Sequence, residues 1–178
     1  MSTLLVFRFM EEGTSLTVAV ELLADRPDLV GQLAKIRWTD WENKPGADTL
    51  EWWIDVTQTE AGRTDPPVTF VAVDSAGEVL GGVTLKVAEL SDEQRRGRTP
   101  WVGGMIVRSD KRGSGIGTIL MARLEVWART AGIAQAWVVS AGRAVDFYRR
   151  CGWVAVETVG AGDPSTILTK VLSPARPN

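Results

Sequence analysis

The chain begins with apolar runs of strand length and then changes period. Leu4 to Phe9 is rich in strand formers, Glu11-Glu12-Gly13-Thr14-Ser15 interrupts it, and Leu16 to Val20 resumes the pattern, predicting two strands around a turn. From Pro27 the apolar positions Leu29, Leu33 and Ile36, with Val30 beside them, fall on one helical stripe. A second helix is expected from near Asp48, whose carboxylate suits a cap with Glu51 three residues on, and it runs through Trp52, Trp53, Ile54 and Val56. Pro45-Gly46 separates the two.

Thr64-Asp65-Pro66-Pro67 ends the helical region. Val68 to Val73 and Val79 to Val87 then flank Asp74-Ser75-Ala76-Gly77-Glu78, a hairpin signature. Ser91 to Thr99 is a polar loop with room for one helical turn. Trp101 to Val107 reads as a strand interrupted by Gly103-Gly104, where missing side chains predict a bulge or a close backbone approach. Ile116, Ile119, Leu120, Leu124, Trp127 and Ala131 form the apolar face of a long helix closed by Gly132. Ala134 to Val139 suits a buried strand and Ala144 to Arg150 a short helix ended by Gly152. Trp153 to Val159 with Thr166 to Val171 makes a last hairpin. The order is mixed α/β, without a repeat or a dividing linker. Residues 1–173 therefore read as one domain and 174–178 as a short frayed tail.

Composition narrows the chemistry. With 178 residues and 44% hydrophobic side chains, folding can bury roughly 70% of the unfolded surface, so no disulfide or structural metal is needed. No histidine and a single Cys151 leave no zinc site and no Cys-His or Ser-His catalytic pair. Twenty basic against 22 acidic residues, a formal charge of −2, argue against capture of nucleic acid by a broad basic surface. The amino terminus has neither the basic lead of a signal peptide nor the length of a membrane span, so a cytoplasmic protein without a membrane partner is expected.

The segment from Val107 through Arg108, Ser109, Asp110, Lys111, Arg112, Gly113, Ser114, Gly115, Ile116, Gly117 and Thr118 lies between a strand and a long helix. Amides at a helix start lack internal partners, and the helix dipole adds partial positive charge, so the turn suits a phosphate or pyrophosphate. Arg112 and Lys111 add cationic donors. A Walker loop is excluded, because Gly117 is followed by Thr118 and Ile119 with no lysine. A dinucleotide fingerprint lacks its last glycine, replaced by Thr118, and its ribose-binding acid.

What fits is Arg-x-x-Gly-x-Gly, spanned by Arg112, Gly115 and Gly117. Met105-Ile106-Val107 precedes it, and Ala144-Val145-Asp146-Phe147-Tyr148-Arg149-Arg150-Cys151-Gly152-Trp153 follows with an Ala-x-x-Phe-Tyr-x-x-x-Gly-aromatic pattern. On these segments the sequence resembles the GNAT superfamily of acetyl-CoA-dependent N-acetyltransferases. The resemblance implies a mixed, mostly antiparallel central sheet of about seven strands flanked by about four helices. It further implies that Met105, Ile106 and Val107 offer backbone groups to the pantetheine arm of acetyl-CoA, while Arg112, Gly113, Ser114, Gly115, Ile116, Gly117 and Thr118 bind its pyrophosphate. The family often carries Asn where this chain has Ala141, so that contact is missing or falls to Ser140 or Arg143. Arg143, Arg149 and Arg150 are candidates for the cofactor's outer phosphate, or are ordinary exposed helix charges.

The implied activity is acetyl transfer to the amine of a small molecule or peptide, without a metal. An alkylammonium has a pKa near 10.4, so about one molecule in 2,500 is neutral at pH 7, a deficit of roughly 4.6 kcal/mol. Without histidine, the base is a carboxylate, a tyrosine, a backbone carbonyl or water. Tyr148, the one tyrosine, stands where the family commonly places its general acid; packing beneath the sheet is the alternative. The strand before the turn has no acid, leaving Glu42, Glu89, Asp92 and Glu93 as carboxylates able to border an acceptor. Trp38, Trp41 and Trp52 are either core or an aromatic acceptor surface, and Trp53 is expected in the core. Cys151 reads as a small apolar residue. An inactive acyl-CoA-binding regulatory module is the alternative function, and a homodimer is compatible with the fold.

Overall fold

The computed structural model describes residues 5–11, 14–41, 49–88, 96–160 and 163–172. Among the described residues, eight strands and four α-helices make a mixed, mostly antiparallel architecture, one strand more than the about seven that the resemblance implies. The strands are β1 Leu5–Glu11, β2 Thr14–Leu22, β3 Val68–Asp74, β4 Val79–Lys86, β5 Trp101–Val107, β6 Gln135–Ser140, β7 Val154–Val159 and β8 Ser165–Val171. The helices are α1 Val30–Trp41, α2 Leu50–Thr59, α3 Ile116–Thr130 and α4 Arg143–Arg150. The tail 174–178, Pro45-Gly46, Asp48 and most of the loop from Ser91 lie outside the described residues.

The chain divides into two compact units: Met1–Thr84 with Gly104–Leu124, and Leu85–Gly103 with Glu125–Asn178. In the first, β1 to β4 and the end of β5 are neighbours in chain order. Phe7 faces Val18 across β1 and β2, and Val20 faces Ala72 across β2 and β3. Leu23, Leu29, Leu33, Val71, Val73 and Ile106 are buried together in its core. The stripe read from Leu29, Leu33 and Ile36 is present, but Pro27–Leu29 forms a 3-10 turn and the α-helix begins at Val30. The proline, whose fixed φ suits a first helical turn, opens the 3-10 turn. Helix α2 is capped by Thr49, whose hydroxyl accepts the Trp52 amide at 3.2 Å.

In the second unit the start of β5 runs parallel to β6, with Trp101 opposite Trp137 and Val102 opposite Val138. Strand β8 lies antiparallel between β6 and β7. Two helix ends there use the same device. Gly132 (φ 78°) and Gly152 (φ 83°) take the left-handed conformation after α3 and α4. The Ile133 amide then reaches the Ala128 carbonyl at 2.9 Å, and Trp153 reaches Tyr148 at 3.0 Å. No helix among the described residues is long and apolar enough to cross a membrane.

Candidate active site

Strand β5 is only half-buried in its middle. Trp101, Val102 and Ile106 are buried, while Gly103, Gly104 and Met105 are half-exposed. Gly104 has φ 59°, a left-handed value rare for side-chain-bearing residues, so the expected irregularity is a backbone kink at this glycine. Ile106 commits its side chain to the core, whereas Met105 and Val107 are partly accessible.

The strand runs into a 3-10 turn at Ser109–Lys111 and then the glycine turn. Ser114 Oγ donates to the Lys111 carbonyl at 2.6 Å, fixing the loop from within. Gly113 (φ 85°) and Gly115 (φ 89°) both need the left-handed region. Helical bonding begins when the Thr118 and Ile119 amides reach the Gly115 carbonyl at 3.0 and 3.2 Å. The amides of Gly113, Ser114, Gly115, Ile116 and Gly117 precede that point and have no acceptor among the described residues. A Cβ built on Gly113 meets nothing within 4 Å.

Arg112 is half-exposed; its Nε donates to the Val107 carbonyl at 3.0 Å and its Nη2 to Asp40 on α1. Arg108 is committed elsewhere, bonding both carboxylate oxygens of Asp110 at 2.7 and 3.1 Å. That hydrogen bond is the main reason the Asp110 carboxyl is held below its ordinary range and the Arg108 guanidinium above its own.

In the second unit, Tyr148 on α4 is 5% exposed and packs edge-on against Trp153, centroids 6.1 Å apart. The turn after α4 is clamped. Lys170 Nζ donates to the Cys151 carbonyl at 2.6 Å and to both oxygens of buried Glu125 at 2.9 and 2.8 Å, and Trp153 Nε1 also donates to Glu125 at 3.1 Å. Cys151 is half-buried, and its carbonyl is tied into this network. Ser140 ends β6 opposite Thr166, half-buried, and Ala141 and Arg143 beyond it are exposed. Arg149 and Arg150 are exposed as well, Arg149 lying 3.3 Å from Asp146.

A sequence model described as "Acetyltransferase (GNAT) family" matches residues 30–153. This chain belongs to the GNAT acetyltransferase family. Solved structures give the same fold at low identity. An aminoglycoside 6'-N-acetyltransferase complexed with coenzyme A is 16% identical, with a TM-score of 0.70 over 89% of this GNAT chain and 99% of its own. The ribosomal-protein-S5-alanine acetyltransferase of Vibrio fischeri is 17% identical, with a TM-score of 0.68 over 97% of this chain and 100% of its own. The spermidine N-acetyltransferase SpeG of Vibrio cholerae, in a mutant form, is 14% identical, with a TM-score of 0.65 over 87% and 94%. No curated protein matches by sequence.

Acetyl-CoA is the acetyl donor of the family. The residues present fit it: half-buried Gly103 to Met105, then amides from Gly113 to Gly117 without an acceptor among the described residues, beside Arg112.

Sequence reasoning did not find the charged group packed against this strand. Arg37 on α1, 1% exposed, donates from Nη1 to Thr57 Oγ1 at 3.0 Å and Glu60 Oε2 at 2.8 Å, and from Nη2 to Thr84 Oγ1 at 2.9 Å. The available signal was Arg37 standing three residues after Ala34 and four after Leu33, a cation on the buried stripe. Of the candidate carboxylates, Glu42, Glu89, Asp92 and Glu93 lie outside the described residues. Trp53 is in the core as expected, at 5.5 Å from Trp41 and 4.9 Å from Trp52, and Trp52 is 41% exposed.

Proposed function

We propose that this GNAT protein transfers the acetyl group of acetyl-CoA directly to the amine of a small molecule or peptide. The observation that carries the reading is the run of unpartnered amides from Gly113 to Gly117, continuing from a strand only half-buried in its middle. Peptide N–H groups at a helix start favour an anion by direct hydrogen bonding and through the dipole. When bound, acetyl-CoA supplies an activated acetyl thioester. Arg112 and the turn amides bind the diphosphate, and the backbone of Met105, Ile106 and Val107 orients the pantetheine arm. Ser140 is assigned to the same arm. Tyr148 Oη holds the proton given to the departing sulfur, and its burial against Trp153 fixes the ring that carries it. The amine class is supported by the likeness to enzymes named for aminoglycosides, spermidine and an alanine amine.

The test is calorimetric titration with CoA together with thiol release from acetyl-CoA across a panel of amines. Saturable, amine-dependent release is expected. Binding without release for every amine leaves an acyl-CoA-binding module. No binding at millimolar CoA overturns the reading.

A further inference from the structure

A buried cation sits where β5 kinks. A Cβ built on Gly104 would lie 2.7 Å from Arg37 Nη2, 3.2 Å from Thr84 Oγ1 and 3.4 Å from Arg37 Cζ, so the guanidinium occupies the space a side chain at 104 would fill. The group is anchored from three elements: Thr57 and Glu60 at the end of α2, Thr84 on β4, and Arg37 itself on α1. Thr69 Oγ1 extends the network, 2.8 Å from Thr84 Oγ1 and 2.9 Å from the Glu60 carbonyl it donates to. Burial lowers the pKa of Arg37, and the Glu60 carboxylate opposes that shift.

Stability alone is a poor explanation for this arrangement. Desolvating two charges commonly offsets their attraction, and apolar replacements of buried ion pairs are often neutral or stabilising. Arg37 Nε is also buried without a hydrogen-bond partner among the described residues, which adds a cost. What the guanidinium does achieve is local: its rigid fork stands against Gly104, the one left-handed residue of β5, flanked by the half-exposed Gly103 and Met105.

We propose that Arg37, fixed by Glu60 and Thr84, is a positioning residue of the transfer reaction, holding the Gly104 kink so that the Gly104–Met105 peptide is presented in one orientation to the acyl end of the donor. The inference rests on the proposed use of β5 as the cofactor strand. Catalysis depends on such placement, since a displacement near 1 Å can cost about a hundredfold in rate.

The decisive variant is Arg37→Met with Glu60→Leu, which removes both charges together and is expected to fold. Amide hydrogen exchange on the free protein should accelerate at least about tenfold in the segment Gly103–Met105 while α3 keeps its protection. In steady-state thiol release, kcat should fall about a hundredfold while the CoA Kd stays within about twofold. Arg37→Lys, which keeps the charge but loses the fork, should reproduce the kcat loss. Unchanged exchange at Gly103–Met105 overturns the proposal whether or not any amine is turned over. So does wild-type kcat in either variant, or a parallel loss of kcat and CoA affinity. Wild-type protein that turns over no amine tells against the proposed function instead, and the exchange measurement still decides the role of Arg37.

Discussion

Arg112 of the glycine turn donates to Asp40 at the end of α1 while its Nε holds the Val107 carbonyl, so the cation beside the unpartnered amides already has an acidic partner. The pair is half-exposed and worth little to folding. Its effect is expected on ligand affinity. Asp40→Asn removes a negative charge beside an anion site and releases Arg112 to the diphosphate. The CoA Kd should tighten by about two- to fivefold at low ionic strength and the gain should shrink in high salt, with no measurable change in melting temperature. Arg112→Ala should weaken CoA about tenfold or more, as loss of a charge-assisted bond predicts. Calorimetry at two salt concentrations checks both, and looser binding by Asp40→Asn would show that the carboxylate aims Arg112 rather than competing for it.

Gly113 has φ 85° with open space where a Cβ would stand, so Gly113→Ala meets strain and no clash. The cost is about 1 kcal/mol, a shift of about 2–4 °C in melting temperature. If the strained backbone relaxes, the neighbouring amides turn with it, and CoA affinity should fall by more than stability does. Thermal melts with and without CoA separate the two effects.

Tyr148 is 5% exposed against Trp153, so packing and chemistry must be separated by two substitutions. Tyr148→Phe keeps the ring and should lower kcat at least about tenfold while leaving CoA affinity intact. Tyr148→Ala should cost about 3–5 kcal/mol of stability through the cavity it leaves. A Phe variant with wild-type kcat would reduce Tyr148 to a packing residue.

Removing Lys170 takes from Glu125, whose side chain is 8% exposed, its closest cation and leaves only Arg129 at 3.9 Å among the described residues. Lys170→Ala is expected to destabilise the protein by about 3 kcal/mol or more in denaturant titration. Lys170→Ala combined with Glu125→Leu should recover much of that loss, because the stranded charge is what costs. Trp153 Nε1 also bonds Glu125, so the single variant should alter tryptophan fluorescence.

The chain itself determined most of the framework. Short apolar runs bounded by turn residues gave β3, β4 and β5 to within a residue, the stripe from Ile116 to Trp127 gave α3, and Gly132 and Gly152 marked two helix ends, because backbone conformation at glycine is a local property. The Arg112, Gly115 and Gly117 spacing and the Phe147-Tyr148 segment carried the family for the same reason: each motif lies within one strand–turn–helix or one short helix. The Thr49 cap of α2 was not read from the chain, since adjacent residues able to cap are indistinguishable in sequence until the backbone selects one. Tertiary structure alone decided what meets β5. Arg37, Thr57, Glu60, Thr84 and Gly104 span four elements, and Asp40 and Arg112 stand 72 residues apart. Such contacts arise from packing one helix face on a sheet, and no local pattern of residues encodes which distant partner that face will find.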